Sequence, residues 1–317
     1  MYLNSSPPNL APSDLIDPTP LDILIGTLII LTGSFGIMLY IALSFCVHQT
    51  KALQRNPSYV LMRAVMAQAV LVLAIYTSLV GPAIVGQKKP AWPRPLDTIL
   101  VTLPSSFYFI SLWLLTAVAL NRFLAITRPK HIVACIFGRP KNWIWAAGCC
   151  ILGFLTSLPR YLACCSVILL PECYTISISA HNKPYALVDI LFTCACALIM
   201  CSCYGAIVIK LKLLQKNSQL FCSTVKKENA IAAQAAAITF SVLLETACFQ
   251  LVPLVGVTKF SGVLLTLLVE LNAITPAAVF LFMSSELRSI LLSRLHAISL
   301  KGPESILYSS ISESNGF

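Results

Sequence analysis

The sequence predicts one all-α domain: a seven-transmembrane helix bundle, N-terminus outside, with a short amphipathic eighth helix on the cytoplasmic face. Three observations carry that prediction. The chain is 57% hydrophobic and only 11% charged, against about 25% charged residues in an ordinary soluble domain. Its apolar residues come in runs of about 20–25, and about 20 suffice to cross a bilayer core as a helix. Its 22 Lys and Arg residues gather in alternate loops. On this threading Lys88, Lys89, Arg94, Arg160, Lys183 and Lys259 lie outside and the remaining 16 lie inside, the bias that orients membrane helices. The net charge of +10 therefore reflects topology. It does not mark a nucleic-acid-binding face, so membrane lipid is an expected partner and nucleic acid is not.

Residues 1–20 are rich in Pro, Ser and Asp, without a basic residue, and read as an extracellular disordered tail. They lack the basic start and short apolar core of a cleavable signal peptide, so the first span is expected to serve as an uncleaved anchor. Asn4-Ser5-Ser6 is an N-glycosylation acceptor, which has meaning only because this threading puts the N-terminus outside. The first span covers roughly 22–47, and Gly33 and Gly36 within it let a neighbouring helix come close. The second covers roughly 58–82. Residues 83–96 form a Pro-rich outer loop with Trp92 as an interfacial anchor. The third begins at Asp97 and carries no further charge until Arg122, which its last turn presents at the inner face.

The fourth span begins near Asn142 with Trp143 and Trp145 at its inner edge, and ends near Pro159-Arg160. Residues 161–184 read as an outer loop. The fifth, sixth and seventh spans fall at roughly 185–211, 229–255 and 261–284. Ser285–Ala297 alternates Leu287, Ile290, Leu291 and Leu295 with Arg288, Ser289, Arg294 and His296, the spacing of a helix lying on the inner surface. The membrane-spanning domain is thus 21–298, and 299–317 is a Ser-rich inner tail.

No nucleophile motif, phosphate-binding Gly-rich loop or His/carboxylate set at ligand spacing is present, so an enzyme is not expected. Most of the 13 cysteines lie within apolar runs, where a thiol acts as a small hydrophobe, and no metal site is expected. Asp189, Glu245 and Glu270 stand inside apolar runs, where an ionised carboxylate costs about 2.5–3.5 kcal/mol on insertion scales. They are expected to face the bundle interior. Two roles stay open for Asp189 and Glu270: interhelical ties, to partners such as Gln250 or Asn272, or recognition of a polar or cationic ligand. Glu245, at mid-helix, reads as structural.

Asn121-Arg122-Phe123 followed by LAITRP resembles the Asp/Glu-Arg-Tyr motif of rhodopsin-like G-protein-coupled receptors and the segment after it. A tryptophan early in the fourth span matches that family, and Thr275-Pro276-Ala277-Ala278-Val279-Phe280 resembles its Asn-Pro-x-x-Tyr motif. Glu286-Leu287-Arg288 sits where its eighth helix begins. The resemblance covers roughly 20–298. Asn121 replaces the family's acid, Gln68 its second-helix aspartate, Asp97 its third-helix cysteine, and Phe249 its sixth-helix tryptophan. These departures resemble the divergent serpentine chemosensory receptors.

The resemblance implies a plasma-membrane receptor that binds an extracellular ligand and activates a heterotrimeric G protein. Asn121, Arg122, Phe123, Thr275, Pro276 and Phe280 would serve coupling. Ser105, Tyr108, Phe109, Asp189, Phe249 and Glu270 would line the ligand site. With Asp97 in place of the cysteine, a local bridge from Cys164 or Cys165 to Cys173 is left open. The seventh span, 261–284, contains no lysine for a retinal Schiff base, so no cofactor is expected. A transporter or channel, or a receptor-like protein that does not signal, are the competing readings. Neither an internal repeat nor an even number of spans favours the transporter.

Overall fold

The computed structural model describes residues 17–49, 58–87, 93–128, 130–162, 167–178, 183–217, 233–234, 236–249, 258–283, 288–289 and 293. Asn4, Cys165, the end of the sixth span from Gln250, most of the expected surface helix and both tails lie outside them. Helix α1 (Pro20–Gln49) starts at a reciprocal cap: Asp22 N donates to Thr19 Oγ1 (3.3 Å) and Thr19 N to Asp22 Oδ2 (2.7 Å). Pro20 takes the first helical position, where its missing N–H costs nothing. Helix α2 (Ser58–Ile75) runs on through a π-helical turn, Tyr76–Val80, into Gly81–Gly86. Pro82 explains the change of pitch. It has no N–H for the Ser78 carbonyl, and the ladder shifts so that Gly81 N donates to Tyr76 O.

Helix α3 (Arg94–Thr127) stops where Pro129 forces the preceding Arg128 into an extended conformation, φ −116°, ψ 156°. A short helix α4 (Lys130–Phe137) follows, and Gly138 and Pro140 restart the chain as α5 (Arg139–Ser157). Trp145 Nε1 donates to Ile136 O at 3.1 Å and its ring stacks on Phe137, which clamps α4 to the base of α5. The remaining spans are α6 (Lys183–Asn217), α7, described over Ala236–Phe249, and α8 (Lys259–Met283). Among the described residues six helices are long and apolar enough to cross a membrane, and α7 is the described part of the sixth span.

Helix α3 is the axis of the bundle: two thirds of its apolar window (67%) is buried, against 28% for α1 and α5. It packs on α2, α5 and α6. Gly153 of α5 lies flat on it, for an added Cβ would come 2.6 Å from Ile110 Cα. Gly33 and Gly36 face α2 and α8 as the sequence suggests. Outward-facing residues such as Phe240, Phe260 and Phe282 are exposed, as a lipid-facing surface requires.

The outer segment read from sequence as a loop contains a hairpin. Strands β1 (Val167–Leu170) and β2 (Thr175–Ile178) pair antiparallel, Val167 opposite Ile178 and Leu170 opposite Thr175. At its turn Tyr174 adopts φ 55° and is fully buried. Its hydroxyl donates to Asp22 Oδ1, and Thr266 Oγ1 donates to its carbonyl at 2.6 Å. Lys259 Nζ lies 3.7 Å from Asp22 Oδ1 and 5.2 Å from the Tyr174 ring centre. Burial, and the hydrogen bond to Asp22, hold the Tyr174 phenol above its ordinary pKa, so it remains a neutral donor. Gly262 admits this turn, because a Cβ there would collide with Cys173 O. The hairpin thereby joins α1 to α8 across the outer end. Tyr174→Phe leaves a nearly inaccessible Asp22 short of a donor and is expected to cost about 1–3 kcal/mol. The check is a lowered Tm in detergent; an unchanged Tm contradicts the latch.

Candidate functional site

Beneath the hairpin, Arg160, just past the end of α5, reaches Asp189 of α6, Nη2 to Oδ2 at 2.5 Å. Both are nine-tenths buried or more. The guanidinium also stands 4.8 Å from the centre of the Phe109 ring. Phe109 packs on Phe192, and Phe192 on Trp113, at ring separations of 5.9 and 5.3 Å. A hydroxyl chain flanks the pair: Ser157 Oγ donates to Ser106 Oγ at 2.8 Å, and Ser106 Oγ shares a proton with Tyr161 Oη at 2.8 Å. Among the described residues, Arg160 Nε and Asp189 Oδ1 are buried without a hydrogen-bond partner. One donor and one acceptor are thus left open, side by side in an aromatic setting. Sequence reasoning placed Arg160 among the outer-loop cations. The clue it left unused is an arginine directly behind Pro159 at the end of an apolar run, opposite an intramembrane acid.

Farther in, Tyr108 Oη meets Thr246 Oγ1 at 2.8 Å and ties α3 to α7. Asn272 Nδ2 donates to Glu245 Oε2, and Ser241 Oγ to Asn272 Oδ1 at 2.6 Å, so Glu245 acts as the interhelical tie the sequence suggests. Gln68 Nε2 donates to Phe107 O at 2.7 Å. Gln68, Tyr108, Glu245 and Asn272, with Ser111 and Pro276, border a cavity of about 40 Å³ between α2, α3, α7 and α8. Such a space holds a few waters or the tip of a small ligand.

The residues expected to meet a ligand therefore divide. Tyr108, Phe109 and Asp189 fall on this connected set, and half-buried Phe249 packs against the core at the outer end of α7. Ser105 turns its hydroxyl back to Thr102 O of its own helix, 3.0 Å away. Glu270 is fully buried but lies against α1 and α2, outside the cavity lining.

At the inner end, Asn121 and Arg122 are 3% and 8% exposed. The sequence expects Arg122 at the water interface; the structure instead encloses it in the bundle and engages it there. Its charge lies within electrostatic range of Tyr204 on α6. Phe123 is half-buried, Phe280 is buried, and Thr275 Oγ1 donates to Leu271 O at 2.7 Å one turn before Pro276.

A family model described as "Serpentine type 7TM GPCR chemoreceptor Srx" matches residues 30–283. The chain is 33% identical over 150 residues to "Opsin-1, short-wave-sensitive 2" of Danio rerio, covering 43% of this chain and 40% of that one. It thus spans well under half the length of this curated relative. Among solved structures it is similar to squid rhodopsin, with a TM-score of 0.73 at 15% identity over 89% of this chain and 88% of that one. That likeness concerns the fold.

Proposed function

Because the chain belongs to the Srx family of serpentine seven-transmembrane chemoreceptors, a multi-pass protein of the plasma membrane, we propose that it binds a small extracellular ligand under the hairpin and activates a heterotrimeric G protein. The observation that carries this reading is the polar and aromatic cluster around Arg160–Asp189, which offers one unpartnered donor and one unpartnered acceptor in the outer half of the bundle. Tyr108, Phe109, Asp189 and Phe249 are the ligand contacts in this reading. The Tyr108–Thr246 bond supports transmission, since it couples α3 to α7 one turn from Phe249. A ligand that breaks or tightens it shifts the balance between two packings of the helices.

Arg122, with Asn121, Phe123, Thr275, Pro276 and Phe280, is the coupling face. Buried at the inner end, Arg122 becomes available to a G protein only when neighbouring helices part. Asn121 supplies no charge to restrain it. Asn121→Asp sets an acid beside the buried arginine in the resting packing and is expected to lower ligand-free signalling about fivefold. A basal G-protein assay that shows no drop contradicts that restraint. The receptor reading itself is tested by expressing the full chain in cells with a G-protein activation reporter and applying volatile, amine and peptide stimuli. A saturable response absent from untransfected cells is expected; silence across heterotrimers and stimuli favours the non-signalling alternative.

A further inference from the structure

Between Asp97 and Glu172 the chain has no acidic residue. Within that stretch Arg128, Lys130, Arg139 and Lys141 gather around α4, at the inner ends of α3 and α5. Arg128 and Lys141 are exposed, and the ion pairs formed among the described residues, Arg160–Asp189 and Lys259–Asp22, involve neither. Lys141 Nζ donates to the Cys135 carbonyl of α4. A carbonyl holds the ammonium in place without neutralising it, and an ammonium has two further N–H groups to give.

Lys141 also heads a stripe. Ile144, Gly148, Ile151 and Leu155 follow it at helical spacing, on one face of α5. The three large residues are exposed, Ile144 the most at 71%. Gly148 leaves a notch among them, for a Cβ built there meets no atom within 4 Å. Trp143, beside the stripe, is also exposed, and tryptophan favours the membrane–water boundary. The corner thus stands where headgroups give way to lipid tails. Sorting of charge between the two sides explains cations scattered over inner loops. It does not explain a lysine tethered at the head of an open apolar groove, with no acid near it in sequence.

We propose that this face of α5 docks one anionic phospholipid of the inner leaflet, its phosphate on the Lys141 ammonium and an acyl chain along Ile144, Gly148 and Ile151. Charge selects the occupant: a zwitterionic lipid brings no net negative charge to offset Lys141 and Arg128. The surface lies at the opposite end of α5 from Arg160.

The test places the full chain in phosphatidylcholine nanodiscs at about 0.15 M salt, with tail-brominated lipid quenching the fluorescence of Trp143 and Trp145. Brominated phosphatidylserine should quench as strongly as about fivefold more brominated phosphatidylcholine, the enrichment that one lysine supplies beside anionic lipid. Lys141→Gln should bring the two lipids level, and Lys141→Arg should keep most of the difference. Gly148→Leu fills the notch, leaves every charge in place and should also reduce it. Arg63→Gln removes an exposed inner-side cation on α2 and should leave the difference intact. No preference for phosphatidylserine in wild type, a preference that survives Lys141→Gln, or an equal loss in Arg63→Gln would each overturn the proposal.

Discussion

Asp189→Ala is expected to cost about 3–5 kcal/mol of stability, because it leaves the buried Arg160 guanidinium without its ion-pair partner. The pair is buried on both sides and made at 2.5 Å, so neither charge has a ready way to solvent. The ring of Phe109, 4.8 Å away, relieves only part of the loss. Removing both charges together is a different experiment. Arg160→Met with Asp189→Leu fills similar volume, leaves no uncompensated ion, and should recover most of the lost stability, since buried pairs are often replaceable by apolar groups. Surface expression and Tm of the single and double variants measure this; equal damage in both contradicts the argument. The double variant also separates architecture from recognition. If the pair meets the ligand through its open donor and acceptor, this receptor folds, reaches the surface and loses its ligand response.

Arg122→Ala is expected to reduce G-protein activation about a hundredfold while leaving the bundle folded. Truncating a buried charged contact at a protein interface costs 2–5 kcal/mol, which is of that order. The substitution removes a buried side chain, and the contact that holds it, from the inner end of α3. A structural role alone would lower surface abundance in step with signalling. The coupling role predicts that signalling falls far more than any loss of abundance or Tm.

The spans were legible because lipid imposes a simple rule: long uncharged runs, with Lys and Arg sorted between the two sides. Gly33 and Gly36 were legible for a related reason, since only close helix approach explains small residues there. The hairpin was not. Val167–Leu170 and Thr175–Ile178 are four residues each, shorter than any reliable alternation, and their pairing is fixed by docking Tyr174 against Asp22 and Thr266. The Thr19-Pro20-Leu21-Asp22 cap did carry a readable signature, masked by the Pro- and Ser-rich tail before it. Within the site, intramembrane acids announced themselves by their cost, but their partners did not. Asp189 found Arg160, 29 residues away, and Glu245 found Asn272, 27 residues away. Glu270 turned toward Gly33, a contact that depends on how α1 and α8 pack. Arg122 was read as a residue at the water's edge, and only the surrounding helices reveal that the resting bundle covers it.

The most direct measurement is GDP–GTP exchange on heterotrimers added to the purified full chain in nanodiscs, beside Arg122→Ala and empty discs. Wild type should accelerate exchange even without ligand, given Asn121 in place of an acid, and the variant should match empty discs. Equal exchange by wild type and Arg122→Ala would contradict the assignment of this buried arginine as the point where the receptor meets its transducer.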